Sequence, residues 1–157
     1  LIRLYCGNKN KEIIMQLIYS KVEPQKLLHI IHKVGEFYTI EEGHRRDLVE
    51  EKEFIQLSAL NMEKGQTFKP HQHIWKPGEE QVIAQESWVV IKGSVKCSFH
   101  DTDGTLLAEP ILEVGDCSVT LGGGHTYLIL EDDTLVYEYK TGPYKGQKND
   151  KVFLDEI

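Results

Sequence analysis

The chain has 157 residues, 40% of them hydrophobic and 27% charged, with a formal charge of −7 at pH 7. That length suits a single domain able to bury its own core. The acids are spread along the chain with no basic stripe, which argues against a nucleic-acid partner, and no apolar run approaches the roughly 18 residues of a membrane helix.

The opening "LIRLYCGNKN" lacks the basic-then-apolar layout of a secretory signal, and it lacks Met, so Leu1 is read as a trimmed or internal start. Cys6, Cys97 and Cys117 are odd in number, widely spaced and outside any CxxC pair. They read as structural thiols of a protein in a reducing, cytoplasmic compartment.

Along the chain, Ile13, Ile14, Leu17 and Ile18 fall on one helical face and predict a helix from Asn10 to Val22. Pro24 opens a second predicted helix, "PQKLLHIIHKVG", with Leu27, Ile30, Ile31 and Val34 in one stripe and Gly35 as the stop. His29 and His32 lie on it beside Lys26 and Lys33 and read as solvated, since no third ligand type accompanies them. From Phe54 the period changes to two. "FIQLSALNM", "ESWVVIKG", "SVKCSFH", "TLLAEPILEV", "CSVTL", "TYLILE" and "LVYEYK" are short β-rich runs separated by turn signals, and "HDTDGT" is the clearest hairpin. The expected architecture is mainly β. Residues 1–50 form an N-terminal α-helical extension, packed against a sandwich, jelly roll or barrel of residues 51–157.

In an extended strand His71 and His73 project to one face, half a site for a transition metal. Glu86 begins a strand that is apolar on both faces, Trp88 and Val90 sharing its side and Val89 and Ile91 the other. A carboxylate there is costly unless it is paired or bound to a cation. His125 heads a later apolar strand, after three glycines that let the backbone pass close to a neighbour. Trp88, Val90, Tyr127 and Ile129 share parity with Glu86 or His125 and are expected to line one cavity.

The stretches G65-x5-H71-x-H73 and E86-x6-G93 resemble the first cupin motif, and "GDCSVTLGGGH", Gly115 to His125, resembles the second. The resemblance implies a cupin barrel, a double-stranded β-helix or jelly roll, binding one divalent metal (Fe, Mn, Zn, Ni or Co) through His71, His73, Glu86 and His125. The chain departs from the pattern in three places. Twelve residues, "IWKPGEEQVIAQ", separate His73 from Glu86 as a lid-like insertion that carries Glu79 and Glu80. Leu121 replaces the motif proline, with His125 one residue early, and Ile129 stands near the position of a motif Asn. Glu86 is preferred over the insertion's acids because its spacing to Gly93 places it on the strand. "YEYKTGPYKGQKNDK", "HDTDG" and "EEGHRRD" look like the WbuC-type cupin metalloproteins, for which Glu138, Lys140 and Tyr144 are family-typical positions and bacterial O-antigen or capsule assembly is the context.

The resemblance therefore implies a metal-dependent cupin of surface-polysaccharide biosynthesis. It would act on or bind a sugar or small polar metabolite whose adjacent hydroxyl and carbonyl oxygens reach the ion, as in an isomerisation. Trp88, Tyr127 and Lys140 are the expected substrate contacts, and His44, Tyr127 and Lys140 the candidates for moving a proton. Two alternatives stand beside it: an Fe(II) dioxygenase on the same ligands, and a non-catalytic binding or sensor domain. A homodimer is expected from paired sheet edges, with neither nucleic acid nor membrane as partner.

Overall fold

The structure, a computed structural model, describes residues 15–40, 44–78 and 82–156. Its strands are β1 (Gln16–Tyr19), β2 (Leu27–Ile31), β3 (Arg45–Asp47), β4 (Ile55–Met62), β5 (His71–His73), β6 (Trp75–Lys76), β7 (Val82–Ile83) and β8 (Glu86–Lys92). After them come β9 (Val95–His100), β10 (Leu106–Ala108), β11 (Ile111–Leu112), β12 (Cys117–Thr120), β13 (Gly124–Ile129), β14 (Thr134–Thr141) and β15 (Lys151–Phe153). One sheet runs β10-β9-β13-β5-β15, with β11 also on β9, and the other runs β12-β8-β14-β4-β3. Every pairing is antiparallel.

The seven β-rich runs of the sequence are strands, and Asp101 to Thr105 closes the β9–β10 hairpin with Gly104 at φ +85°. Among the described residues the helical extension is not found. Residues 10–14 lie outside the described residues, and the remainder of the two expected helices forms the β1–β2 hairpin, with Leu17 opposite Ile30 and Ile18 opposite His29. Its turn explains the outcome. Ser20 Oγ accepts the amides of Val22 at 3.1 Å and Glu23 at 2.9 Å, and the Ser20 amide reaches the Lys26 carbonyl at 2.9 Å. Ile18, Tyr19, Ile30 and Ile31 also favour strands.

The interior between the two sheets holds Leu60, Met62, Trp88, Val90, Val95, Cys97, Leu112, Tyr127, Ile129 and Val136, with Phe68 and Phe99 against them. Each large side chain buried there contributes about 1.5–3 kcal/mol. The outer face of the β12-β8-β14-β4-β3 sheet is partly covered. Phe37, in a 3-10 turn at Val34–Thr39, packs with Leu48, Ala59 and Leu135 against Leu57, Ile91 and Tyr137. His32 belongs to this contact and is not solvated: its ring is 3% exposed, 2.8 Å from the Tyr137 hydroxyl and 3.7 Å from Glu36. His29 is exposed, as its lysine neighbours suggest. Burial pushes the Cys97 thiol up to about 12, which keeps it inert, whereas Cys117 is exposed. No described helix is long and apolar enough to cross a membrane.

Candidate metal centre

Strand pairing brings four distant residues together. His71 and His73 point inward from β5, and β13 sets His125 directly opposite His71. Glu86 enters from the facing sheet at the head of β8, where period-two alternation buries Glu86, Trp88 and Val90 and leaves Ser87, Val89 and Ile91 half-buried on the outer side. Two glycines permit the approach of β13. A Cβ at Gly123, whose φ is +75°, would strike the His100 carbonyl, and one at Gly124 would strike the Leu154 side chain at 2.8 Å.

The donor atoms of His71, His73, Glu86 and His125 lie within 4.8 Å of one another, and all four residues are buried. The donor set fits a divalent transition metal. His71 Nδ1 sits 2.9 Å from the Lys69 carbonyl and His73 Nδ1 3.2 Å from the Asp150 carbonyl. Each carbonyl fixes the proton on Nδ1, which leaves the Nε2 lone pair for a cation. His71 Nε2 and His125 Nδ1 are buried without a hydrogen-bond partner among the described residues. The Glu86 carboxylate lies between His73 Nε2 at 3.3 Å and His125 Nε2 at 3.2 Å, and accepts the Trp88 indole N–H at 3.1 Å. Three imidazoles and one carboxylate suit Fe, Mn, Co, Ni or Zn.

The electrostatics are uneven. Burial, helped by Lys151 and His125, pulls His71 down to about 4, so it is neutral at pH 7. Burial acts the same way on His73, but hydrogen bonds to Asp150 and Glu86 outweigh it and lift the ring to about 9. Burial would raise Glu86, yet its bonds to His125 and His73 hold it well below the ordinary carboxylate range.

Behind His73 stands a residue the sequence did not single out. Asp150 is fully buried, with Oδ2 at 3.2 Å from His73 Nδ1 and 3.4 Å from Lys140 Nζ, and Oδ1 at 3.1 Å from Lys76 Nζ. Lys76 comes from the insertion, whose described ends pair as the short β6–β7 hairpin. Its ammonium also donates to the carbonyls of Thr141 at 3.2 Å and Pro143 at 2.9 Å. Glu79 and Glu80 lie outside the described residues. Asp150 and its neighbour Lys151 arrive because β15 pairs with β5, placing Lys151 opposite His73. A three-residue strand after "KTGPYKG" carries too little periodicity to be read from sequence.

A cavity of about 230 Å³ opens over the cluster, and its walls include His71, Glu86, Trp88, Tyr127, Glu138, Lys140 and Tyr144. Of the expected wall residues Trp88 and Tyr127 are present, stacked at 3.9 Å between centroids with 9° between planes. Val90 and Ile129 are not; they lie with Leu60, Met62 and Val95 in the apolar filling of the barrel. Lys140 stands opposite Glu86 in the β14–β8 register, its ammonium 5.1 Å above the Tyr144 ring. Glu138 stands opposite Trp88 and pairs with Arg45 at 2.8 Å. Burial and the nearby Glu86 raise its pKa against the pull of Arg45. His44 lies apart from this cavity, exposed, with Nδ1 3.2 Å from the Asn61 carbonyl.

No protein-family model matches the chain, and no curated protein matches its sequence. Solved structures do match its fold. An uncharacterised conserved protein with a double-stranded β-helix domain from Klebsiella pneumoniae is 16% identical with a TM-score of 0.55, over 87% of this chain and 96% of that one. KdgF from Halomonas sp. is 20% identical with a TM-score of 0.51, over 68% of this chain and 85% of that one. The capsular polysaccharide assembling protein CapF from Staphylococcus aureus is 16% identical with a TM-score of 0.57. That match covers 73% of this chain but only 33% of CapF, so the chain corresponds to about a third of that protein's length. CapF has also been solved with the inhibitor 3-isopropenyl-tropolone. The chain thus has the double-stranded β-helix fold that the cupin motifs imply.

Proposed function

We propose that the chain binds one divalent transition metal through His71, His73, Glu86 and His125, and presents it to the oxygens of a sugar or related small polar molecule. The observation that carries this reading is the buried convergence of three imidazoles and a carboxylate within 4.8 Å, beneath an open cavity. A bound ion would polarise a coordinated hydroxyl or carbonyl as a Lewis acid. The residues around it position and exclude. The Trp88–Tyr127 stack forms an apolar wall, Trp88 N–H orients Glu86, and Asp150 orients His73. CapF, which shares this fold over about a third of its length, is a capsular polysaccharide assembling protein, which supports a surface-polysaccharide context.

A second reading, ligand binding without turnover, draws on the acid–base candidates. Tyr127 lies 3.3 Å from Ser118 Oγ, and burial together with Glu86 holds its proton firmly. Lys140 is held by Asp150, and His44 is outside the cavity. Elemental analysis of untagged protein against the His71→Ala/His73→Ala double variant tests the shared claim. Near-stoichiometric metal in the first and none in the second is the expected result; trace metal in both contradicts it. Oxygen uptake by iron-loaded protein with a trial sugar would instead point to a dioxygenase.

A further inference from the structure

If the cluster does hold a cation, as proposed above, the cavity over it selects what reaches the ion, and among the described residues its charges are paired with two exceptions, the exposed Glu51 and the half-buried Lys151. Arg45 is held by Glu138 and Asp47, each at 2.8 Å. Lys76 and Lys140 share Asp150. Glu86 is held between His73 and His125. Lys151 lines the same cavity and is half-buried, yet among the described residues no carboxylate lies within ion-pairing distance of its ammonium and no acceptor takes a hydrogen bond from it.

Its position is fixed by the fold. The β15–β5 register puts Lys151 opposite His73, and the β14–β8 register puts Lys140 opposite Glu86, so two ammonium groups flank the ligand cluster from two walls of one cavity. Glu86, Glu138 and Asp150 attract Lys151 from beyond ion-pairing distance, and a half-buried cation with no carboxylate in contact is unfavourable. Burial first, and Lys140 second, weaken the hold of Lys151 on its proton against the opposing pull of Glu86, Glu138 and Asp150. An anion seated beside both ammonium groups removes the imbalance, and the charge-assisted bond it makes there is stronger than a neutral one. The cavity, about 230 Å³, is smaller than the roughly 300–1,000 Å³ typical of drug-sized ligands, so the guest is small.

We propose that Lys151 is an anion-recognition residue, and that the cavity takes a small molecule carrying a carboxylate or phosphate group besides its metal-directed oxygens. The anionic group sits at Lys151, next to Lys140, while hydroxyl or carbonyl oxygens face the His71, His73, Glu86 and His125 cluster.

The test is calorimetric titration of zinc-loaded and metal-stripped protein with D-glucuronate, D-glucose 6-phosphate and D-glucose. At least one of the two anions binds the wild type about tenfold or more tightly than glucose, and which one separates carboxylate from phosphate. Lys151→Met lowers the affinity for that anion by about tenfold or more, the scale of a lost charge-assisted bond, and leaves zinc content unchanged and the thermal midpoint no lower than that of the wild type. Lys151→Arg keeps most of the affinity, and it serves as the readout should Lys151→Met fail to fold. The proposal is overturned if neither anion binds the wild type, if glucose binds equally well, or if Lys151→Met binds the anion like the wild type. Failure of the metal reading looks different: no zinc is retained, while the Lys151 dependence persists in the stripped protein.

Discussion

Replacing Asp150 by Asn removes one negative charge that three cationic or protonatable groups share. The carboxylate is fully buried, with Lys76 Nζ at 3.1 Å, His73 Nδ1 at 3.2 Å and Lys140 Nζ at 3.4 Å. Lys76 is itself only 4% exposed. Removing one partner of a buried ion pair leaves the other uncompensated, at about 3–5 kcal/mol. For a chain of this size each kcal/mol lowers the midpoint by about 2–4 °C, so Asp150→Asn falls by about 6–20 °C. Adding Lys76→Met removes the stranded charge, and the double variant recovers at least half of that loss, the remainder reflecting the two carbonyls that Lys76 served. Calorimetric melts of all four proteins, stripped of metal, make the comparison as a double-mutant cycle. A single variant within about 1 kcal/mol of wild type, or strict additivity in the cycle, refutes the assigned role of Asp150.

Protonation of His73 competes with a metal. With its pKa lifted to about 9, the ring is charged at pH 7 in metal-free protein, so potentiometric titration at pH 7 shows proton release from His73 on metal uptake and an affinity that rises with pH toward 9. The linked stability has the opposite sense. A raised pKa stabilises metal-free protein fully below the unfolded value of 6.5, and that contribution is lost as pH climbs through about 9; denaturant midpoints across this range check it. Trp88→Phe deletes the donor 3.1 Å from Glu86 Oε1 and lowers metal affinity about 10-fold or more, measured by competition with a chromogenic chelator. Gly93→Ala meets both a φ of +80° and the backbone of Thr134 at 3.1 Å, and costs about 2 kcal/mol or more. Gly104→Ala, with a similar φ of +85° but open space around it, costs about 1 kcal/mol, and equal melting losses for the two would refute the steric part.

The barrel was legible because its strands are short, alternate strictly and are separated by turn residues, as Glu86, Trp88 and Val90 illustrate on β8. Period two made His71 and His73 legible as one face and set Glu86 inward, whereas His125 joined them only through the resemblance of Gly115 to His125 to the second cupin motif. What sequence could not supply was pairing. Asp150 and Lys151 reach the site only through β15, whose three residues show no pattern until it docks on β5. Lys76 reads as an insertion lysine until β6 carries it inward, where it is 4% exposed. The N-terminal error has a related cause. Leu17, Ile18, Leu27 and Ile30 satisfy a helical stripe and a two-stranded ribbon equally well over so few residues, and the Ser20 turn decided between them. Val90 and Ile129 show that parity gives the face and not the depth: they point inward, but below the cavity.

Anomalous diffraction from crystals of metal-loaded protein, collected on both sides of the metal's absorption edge, addresses the central claim most directly. The account requires one strong difference peak per chain, enclosed by His71, His73, Glu86 and His125. No peak there, or a peak held by other residues while Glu86 keeps its hydrogen bonds to His73 and His125, contradicts it.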